Sequence, residues 1–361
     1  MNPFLAQVAL PLALLAWSAA PLTASPDGGA LIVLNKSDDT ASIIDPASGA
    51  TRMTLPTGPG PHEVAVSPDG KFAVVADYGH QVGNNTLTVF DLERLDLHKT
   101  IDLGEFTRPH GITFLGRSGE RLLVTAEDQR ALLEVVFASG EVRDVFATDQ
   151  DVSHMVVAAP DGRHAYVSNI GSGSVTVIDV KSGERLANIP TGAGAEGLDI
   201  APDGSEVWIA NRSADTISIL DTKTHAIVET LECAQFPIRL EFTPDGKHAL
   251  VSNAQSGDVA VFDRTSRELL RRIPMVAEAS EGDENRLFQA GFSEGPVPIG
   301  ILIEPSGRRA YIANTNANLV TILDLESWSV AGRIQTGQQP DGLGWFTPSL
   351  PSDTDSSTQD S

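Results

Sequence analysis

Residues 159–179 read A-P-D-G-R-H-A-Y-V-S-N-I-G-S-G-S-V-T-V-I-D, and the stretch recurs. Ala201 to Asp221 reads A-P-D-G-S-E-V-W-I-A-N-R-S-A-D-T-I-S-I-L-D, and Thr243 to Asp263 reads T-P-D-G-K-H-A-L-V-S-N-A-Q-S-G-D-V-A-V-F-D. Glu304 to Asp324 carries Pro-Ser-Gly in place of Pro-Asp-Gly, and Ser67 to Asp91 shows the unit with a longer middle. Self-similarity at a period of about 42 residues marks a propeller or a solenoid.

The chemistry of one unit chooses between them. Pro-Asp-Gly is turn chemistry: Pro fixes φ, Asp bonds nearby backbone, and Gly takes φ > 0 without steric cost. A short run ending in Asn follows (Ala165 to Asn169), then a polar loop and a β-branched run (Val175 to Ile178) closed by Asp179. Both runs have the length, composition and period of two that predict strands. Arg185 to Ile189 and Gly197 to Ile200 supply two more before the next turn. Four antiparallel strands in a unit of this length make a propeller blade. The 10–15-residue periodic stretches of helical repeats are absent.

The pattern P-D-G…Y-V-S-N…V-T-V-I-D resembles the YVTN-type (YncE-like) β-propeller repeat of secreted bacterial and archaeal proteins, over roughly residues 30–347. The resemblance speaks to fold far more than to function, because one fold carries many activities. No repeated Trp-Asp ending or kelch double glycine is present. The four tryptophans (Trp17, Trp208, Trp328, Trp345) do not recur once per repeat, as they would in quinone-cofactor dehydrogenases.

Counting units by the end of the second strand gives Asn35, Asp77, Glu127, Asn169, Asn211, Asn253 and Asn314, hence seven blades. The unit over 121–162 is degenerate, with Glu127 standing where Asn is usual and Arg117-Ser118-Gly119 as its opening turn. The N-terminal repeat lacks the strand before its turn, and Pro340 to Phe346 supplies such a strand at the other end. The last blade is therefore expected to be shared between the termini, which removes exposed edges. The expected fold is all-β: one seven-bladed propeller over 25–347, four antiparallel strands per blade.

Outside the repeats, residues 1–24 read as a secretory signal peptide, with an apolar run (Val8 to Trp17) too short to span a bilayer. No basic residue precedes that run, and Pro21 disfavours cleavage after Ala20, so the cut is expected near Ala24. No Cys follows to carry a lipid. The mature chain is read as periplasmic or secreted, without a stable membrane span, and 348–361 as a disordered tail. Acidic residues outnumber basic ones 48 to 25, a net charge of −23, which argues against nucleic acid as a partner. The lone cysteine, Cys233, excludes an intramolecular disulfide and is expected as a small buried hydrophobe in a strand.

Function is expected where the repeats stop agreeing. At the head of each first strand, six residues before the turn proline or its equivalent, stand His62, His110, His154, Glu196, Ile238, Ile299 and Asp341. First strands line the channel of a propeller, so these seven should form one ring. His62, His110, His154, Glu196 and Asp341 are capable metal ligands for a divalent ion. The competing reading is structural: histidines bonding neighbouring carbonyls around a water-filled channel. The next position is Gly in four blades but Glu63, Met155 and Arg239 in the others. Arg239, taken as the only cation near the ring, would hold a carboxylate or phosphate or pair with Glu63 or Glu241. The long segment Asp77 to Gln81, with His80, should reach the same face. So should the insertion at 275–295, which carries Glu278, Glu281, Asp283, Glu284, Arg286 and Phe288. The remaining histidines (His98, His164, His225, His248) and the repeated Asn and Asp residues read as surface and turn devices.

Two function classes follow. The first is an exported binding module or scaffold taking a partner protein, a metal or a small ligand on the channel face. The second is a metal-dependent hydrolase of a lactone or phosphoester with the ring as its metal site. The fold also resembles some heavy chains of periplasmic quinone- or amine-oxidation systems, which implies an accessory-subunit alternative. The elbow, zinc-helix, P-loop and dinucleotide motifs of common enzymes are absent from the sequence.

Overall fold

The computed structural model describes residues 28–276, 292 and 295–348. The proposed signal stretch, most of the insertion at 275–295 and nearly all of the tail lie outside the described residues. The described chain forms seven four-stranded antiparallel sheets. We number the blades from the innermost strands: Pro61–Val66 (blade 1), Pro109–Phe114 (2), Ser153–Ala158 (3), Ala195–Ile200 (4), Pro237–Phe242 (5), Pro298–Ile303 (6) and Pro340–Phe346 (7). In blade 7 that strand pairs antiparallel with Ala30–Asn35, which leads into Thr40–Ile44 and Thr51–Pro56. The ring is thus closed by hydrogen bonds between the two ends of the chain.

The two middle strands of each blade are buried on both faces: five of six residues in Glu206–Asn211 and all six in Ser174–Asp179. Blades stack face to face, so these strands carry near-continuous Val, Ile and Leu where a half-buried strand would alternate. Outermost strands are exposed along most of their length and carry charged residues such as Arg52, Arg185 and Glu229, which blunt edge-to-edge pairing. The turns behave as expected. Gly162, Gly204 and Gly246 all sit near φ +70°, and Asp161 Oδ1 accepts the Arg163 N–H at 2.7 Å. At the next turn Asp221 Oδ1 takes the N–H groups of Lys223 and Thr224.

The register corrects one alignment. The innermost strand opens opposite Asn169 in blade 3 and Asn211 in blade 4, but opposite Ala126 in blade 2. Ala126, not Glu127, occupies the asparagine place. The reason is local. Asn169 and Asn211 donate to hydroxyls on the next strand, Thr176 at 3.0 Å and Ser218 at 2.9 Å. In blade 2 the corresponding residues are Ala131 and Leu133, packed with Ala126 in one apolar cluster. Blade 2 is a complete blade whose strand end has exchanged a polar clasp for an apolar one.

Cys233 also differs from expectation. It lies just past the outer strand Ala226–Glu232, half-buried, with Sγ donating to Asn253 Oδ1 at 3.2 Å. Burial pushes its thiol pKa up to about 12, so the thiolate is scarce at neutral pH.

Candidate functional site at the channel mouth

The innermost strands present their second residues to the channel. All seven ring residues, His62, His110, His154, Glu196, Ile238, Ile299 and Asp341, line one cavity of about 200 Å³. Hydroxyls pin several of them by the main chain. Thr125 Oγ1 donates to the His154 carbonyl at 2.7 Å, Ser252 Oγ to that of Ile299 at 2.6 Å, and Ser168 Oγ to that of Glu196. Each of these bonds runs from one blade to the next, so the scaffold fixes the ring before side chains are considered.

A second tier was missed from sequence except for Tyr78, which belongs to the segment Asp77 to Gln81 expected at this face. Lys36, Tyr78 and Arg212 also line the cavity. Each immediately follows the strand-end residue (Asn35, Asp77, Asn211), the place where the chain leaves the second strand at the mouth. The full tier is Lys36, Tyr78, Glu127, Ile170, Arg212, Ala254 and Thr315. Correct register in blade 2 was the available signal, because it puts Glu127 in this tier. Arg239 is consequently not the only cation near the ring.

Below the ring, glycine and side chain alternate. A Cβ on Gly111, Gly197 or Gly342 would come within 2.9 Å of the next innermost strand, at the Cα of Met155, Arg239 and Glu63 respectively. Bare strands therefore seat the neighbours that bear side chains. Arg239 reaches across the channel from blade 5 to blade 1, bonding Glu63 Oε1 at 2.8 Å, and bonds Glu196 Oε1 at 3.0 Å. The pairing with Glu63 is present. The Glu241 alternative is not, since Glu241 accepts the Ile303 N–H at 3.1 Å instead.

The acids Glu196 and Asp341, expected as metal ligands, are engaged by cations. Arg212 Nη1 lies 2.5 Å from Glu196 Oε2, and Lys36 Nζ 3.2 Å from Asp341 Oδ2. Burial pushes Glu196 up, but His154 and the two guanidinium groups outweigh it and hold the pKa at about 2. For Arg239, burial works against the charge and the carboxylates of Glu63, Glu196 and Asp341 more than restore it. Both acids act as counter-ions: Glu196 has both oxygens engaged, whereas Asp341 keeps Oδ1 without a hydrogen-bond partner.

The histidines divide into two kinds. His62 and His110 are held well below the usual imidazole pKa, chiefly by burial, and then by Lys36 for His62 and by His154 for His110. Both are neutral and keep a lone pair. His62 donates from Nδ1 to the Gly60 carbonyl at 2.8 Å, while His110 Nδ1 has no hydrogen-bond partner although the residue is 1% exposed. Burial lowers His154 too, but Glu127 and Glu196 reverse the sign and raise it. Its Nδ1 donates to Glu127 Oε1 at 2.5 Å. Its Nε2 lies 3.4 Å from Glu196 Oε1 in a purely electrostatic contact, without hydrogen-bond alignment. The His110 and His154 rings stack with centroids 3.6 Å apart. Donor atoms of His110, Glu127 and His154 lie within 4.8 Å of one another.

Outside this cup, a vestibule of about 680 Å³ shares Lys36, His62 and Tyr78 with it and adds His80, Gln81 and Gln339. His80 thus reaches the predicted face, but at the rim, half exposed and 2.9 Å from Asp39. The insertion's predicted reach toward this face lies outside the described residues. His98 is exposed, and His164, His225 and His248 are partly exposed and away from the cavity.

Residues 107–282 match the family model described as YNCE-like beta-propeller, a span from the head of blade 2 through blade 5. That span carries the YNCE-like repeat, as the sequence resemblance indicated. No curated protein matches the chain. Among solved structures, a chain of Kuenenia stuttgartiensis hydrazine synthase is similar with a TM-score of 0.66 at 19% identity. The match covers 81% of this chain and 91% of that one. At that identity the likeness concerns the fold alone.

Proposed function

We propose that this propeller is an exported binding module whose channel-mouth cup takes a small anionic ligand, a carboxylate or a phosphate. The observation that carries the reading is the convergence of Lys36 and Arg212 on one cavity over an Arg239 floor, each of the two held by a single carboxylate. Donors left over on the ammonium and guanidinium groups suit an oxyanion. The cavity, about 200 Å³, is smaller than pockets for drug-sized ligands, roughly 300–1,000 Å³, so the ligand is small. Side-chain exposures of 13% for Lys36 and 28% for Arg212 mean that the attraction is only partly screened by water.

Calorimetric titration with inorganic phosphate, acetate and succinate tests the reading. Saturable binding should weaken at least about tenfold in Lys36→Ala and in Arg212→Ala, measured well below the thermal midpoint of each variant, with the circular dichroism of the folded protein retained. Absence of binding by all three anions, or equal binding by the variants, rejects it. Export is tested separately, by the N-terminal sequence of protein recovered outside the cytoplasm, which should begin near Ser25.

A further inference from the structure

We propose that His110, Glu127 and His154 bind one divalent first-row transition metal ion in the wall of the cup. The inference rests on the reading of the cup as a binding site, but on different residues from those offered to the anion. Two imidazoles and one carboxylate are a donor set for zinc, cobalt, nickel, copper or iron. Calcium and magnesium prefer oxygen ligands.

Three observations carry it beyond a chance cluster. First, the donor atoms lie within 4.8 Å of one another and all three residues are buried. Second, His110 Nδ1 is an orphan in the buried wall, and a buried nitrogen without a partner is destabilising unless something meets it. Third, the carboxylate is oriented from behind. Tyr78 donates from its hydroxyl to Glu127 Oε2 at 2.7 Å, leaving Oε1 toward His154, in the manner of outer-shell groups that aim metal ligands. The ion takes the place of the proton held between Glu127 Oε1 and His154 Nδ1, widening that contact, and His110 Nδ1 completes the set. The remaining coordination positions belong to solvent or to the anion in the cup, which would bridge the two halves of the site.

The repeat itself supplies variants that the fold accepts. Ala254 occupies in blade 5 the place Glu127 occupies in blade 2, and Ile238 and Ile299 occupy the place of His110. Glu127→Ala and His110→Ile therefore remove ligands with residues already found at those positions. The full mature chain, stripped with chelator, is titrated with Zn²⁺ by calorimetry and with Co²⁺ by its visible d–d absorption. The expected result is one ion per chain in the wild type, with affinity at least about 100-fold weaker in each variant and unchanged circular dichroism. Failure of both ions to bind the wild type overturns the proposal, as does equal binding by both variants. Phosphate titration of the same metal-free protein separates the two readings. Phosphate binding without Zn²⁺ or Co²⁺ binding overturns the metal site alone, whereas metal binding that the variants abolish supports it whatever phosphate does.

Discussion

Blades 2 and 4 are the same four-stranded sheet, and three equivalent positions set them apart. Blade 4 carries Glu196 on the ring, Asn211 at the strand end and Arg212 after it; blade 2 carries His110, Ala126 and Glu127. In blade 4 the charges are paired within the protein, Glu196 with Arg212, Arg239 and His154, and the Asn211 amide N–H groups are given to Thr216 and Ser218, its Oδ1 alone lacking a hydrogen-bond partner. In blade 2 the strand end is apolar and the polarity has moved one residue on, to a carboxylate that leans on His154 beside an unpartnered His110 nitrogen. A single scaffold thus supports a closed ionic network and an open donor set two blades apart. The strand-end residue answers to the blade, and the residue after it answers to the channel.

The largest test of this contrast opens the closed network. Arg239→Ala strands the part-buried carboxylate of Glu63 and leaves Glu196 with Arg212 and His154 alone, and breaking a buried pair in this way costs about 3–5 kcal/mol. Urea unfolding should show that loss. A change under about 1 kcal/mol would mean that water already shares the floor and that the network is not closed. A smaller effect is expected from exchanging the strand ends. Asn211→Ala leaves the Thr216 and Ser218 hydroxyls without their donor and should cost roughly 1–3 kcal/mol. Ala126→Asn, facing Ala131 and Leu133, should also destabilise and not rescue. Stabilisation by Ala126→Asn would show that the apolar clasp of blade 2 is a defect and not an alternative.

Blade 1 lies between the two cases, and its effect shrinks toward acid. Asp77 takes the asparagine place and accepts from Thr86, Thr88 and the Gly58 N–H, as Asn35 engages Ser42 and the Gly337 N–H. Burial raises the Asp77 pKa from 3.8 to about 7. The folded state therefore binds a proton more readily than the unfolded chain between about pH 4 and 7. Stability linked to this group is complete below pH 4 and is lost as pH rises through 7. Asp77→Asn should stabilise by roughly 1–3 kcal/mol at pH 8 and by little at pH 4. Thermal melts of the two proteins across that range should converge toward acid; parallel curves would show that the carboxyl is ionised without cost.

The blade count, the closure and the ring were legible because each rests on a feature repeated in register: the Pro-Asp-Gly turn, the strand-end Asn, and the residue six before the turn. Of the tier containing Lys36, Tyr78, Glu127 and Arg212, only Tyr78 was placed, as part of the segment Asp77 to Gln81. Its residues share no chemistry from blade to blade, and a one-residue slip in blade 2 disguised Glu127 as a degenerate asparagine. The salt bridge from Arg239 to Glu63 was legible only as one of two options. Which acid lies opposite depends on how blade 1 faces blade 5 across a closed circle, and that is a global property no local pattern encodes. The neutralisation of Glu196 and Asp341 follows from the same gap, since Arg212 and Lys36 belong to the unread part of that tier.

The alternation below the ring has an arithmetic of its own. Glu63, Gly111, Met155, Gly197, Arg239 and Gly300 alternate perfectly, and then Gly342 follows Gly300. An odd circle cannot be two-coloured: with seven members, one pair of neighbours must match. The mismatch falls between blades 6 and 7, beside the seam where the chain's two ends are joined. Three side chains are thus spread over a channel with one bare arc, and no arrangement on seven blades could distribute them evenly. An even-membered ring built from the same repeat would face no such constraint, so the lopsided floor of this channel is a property of the number seven.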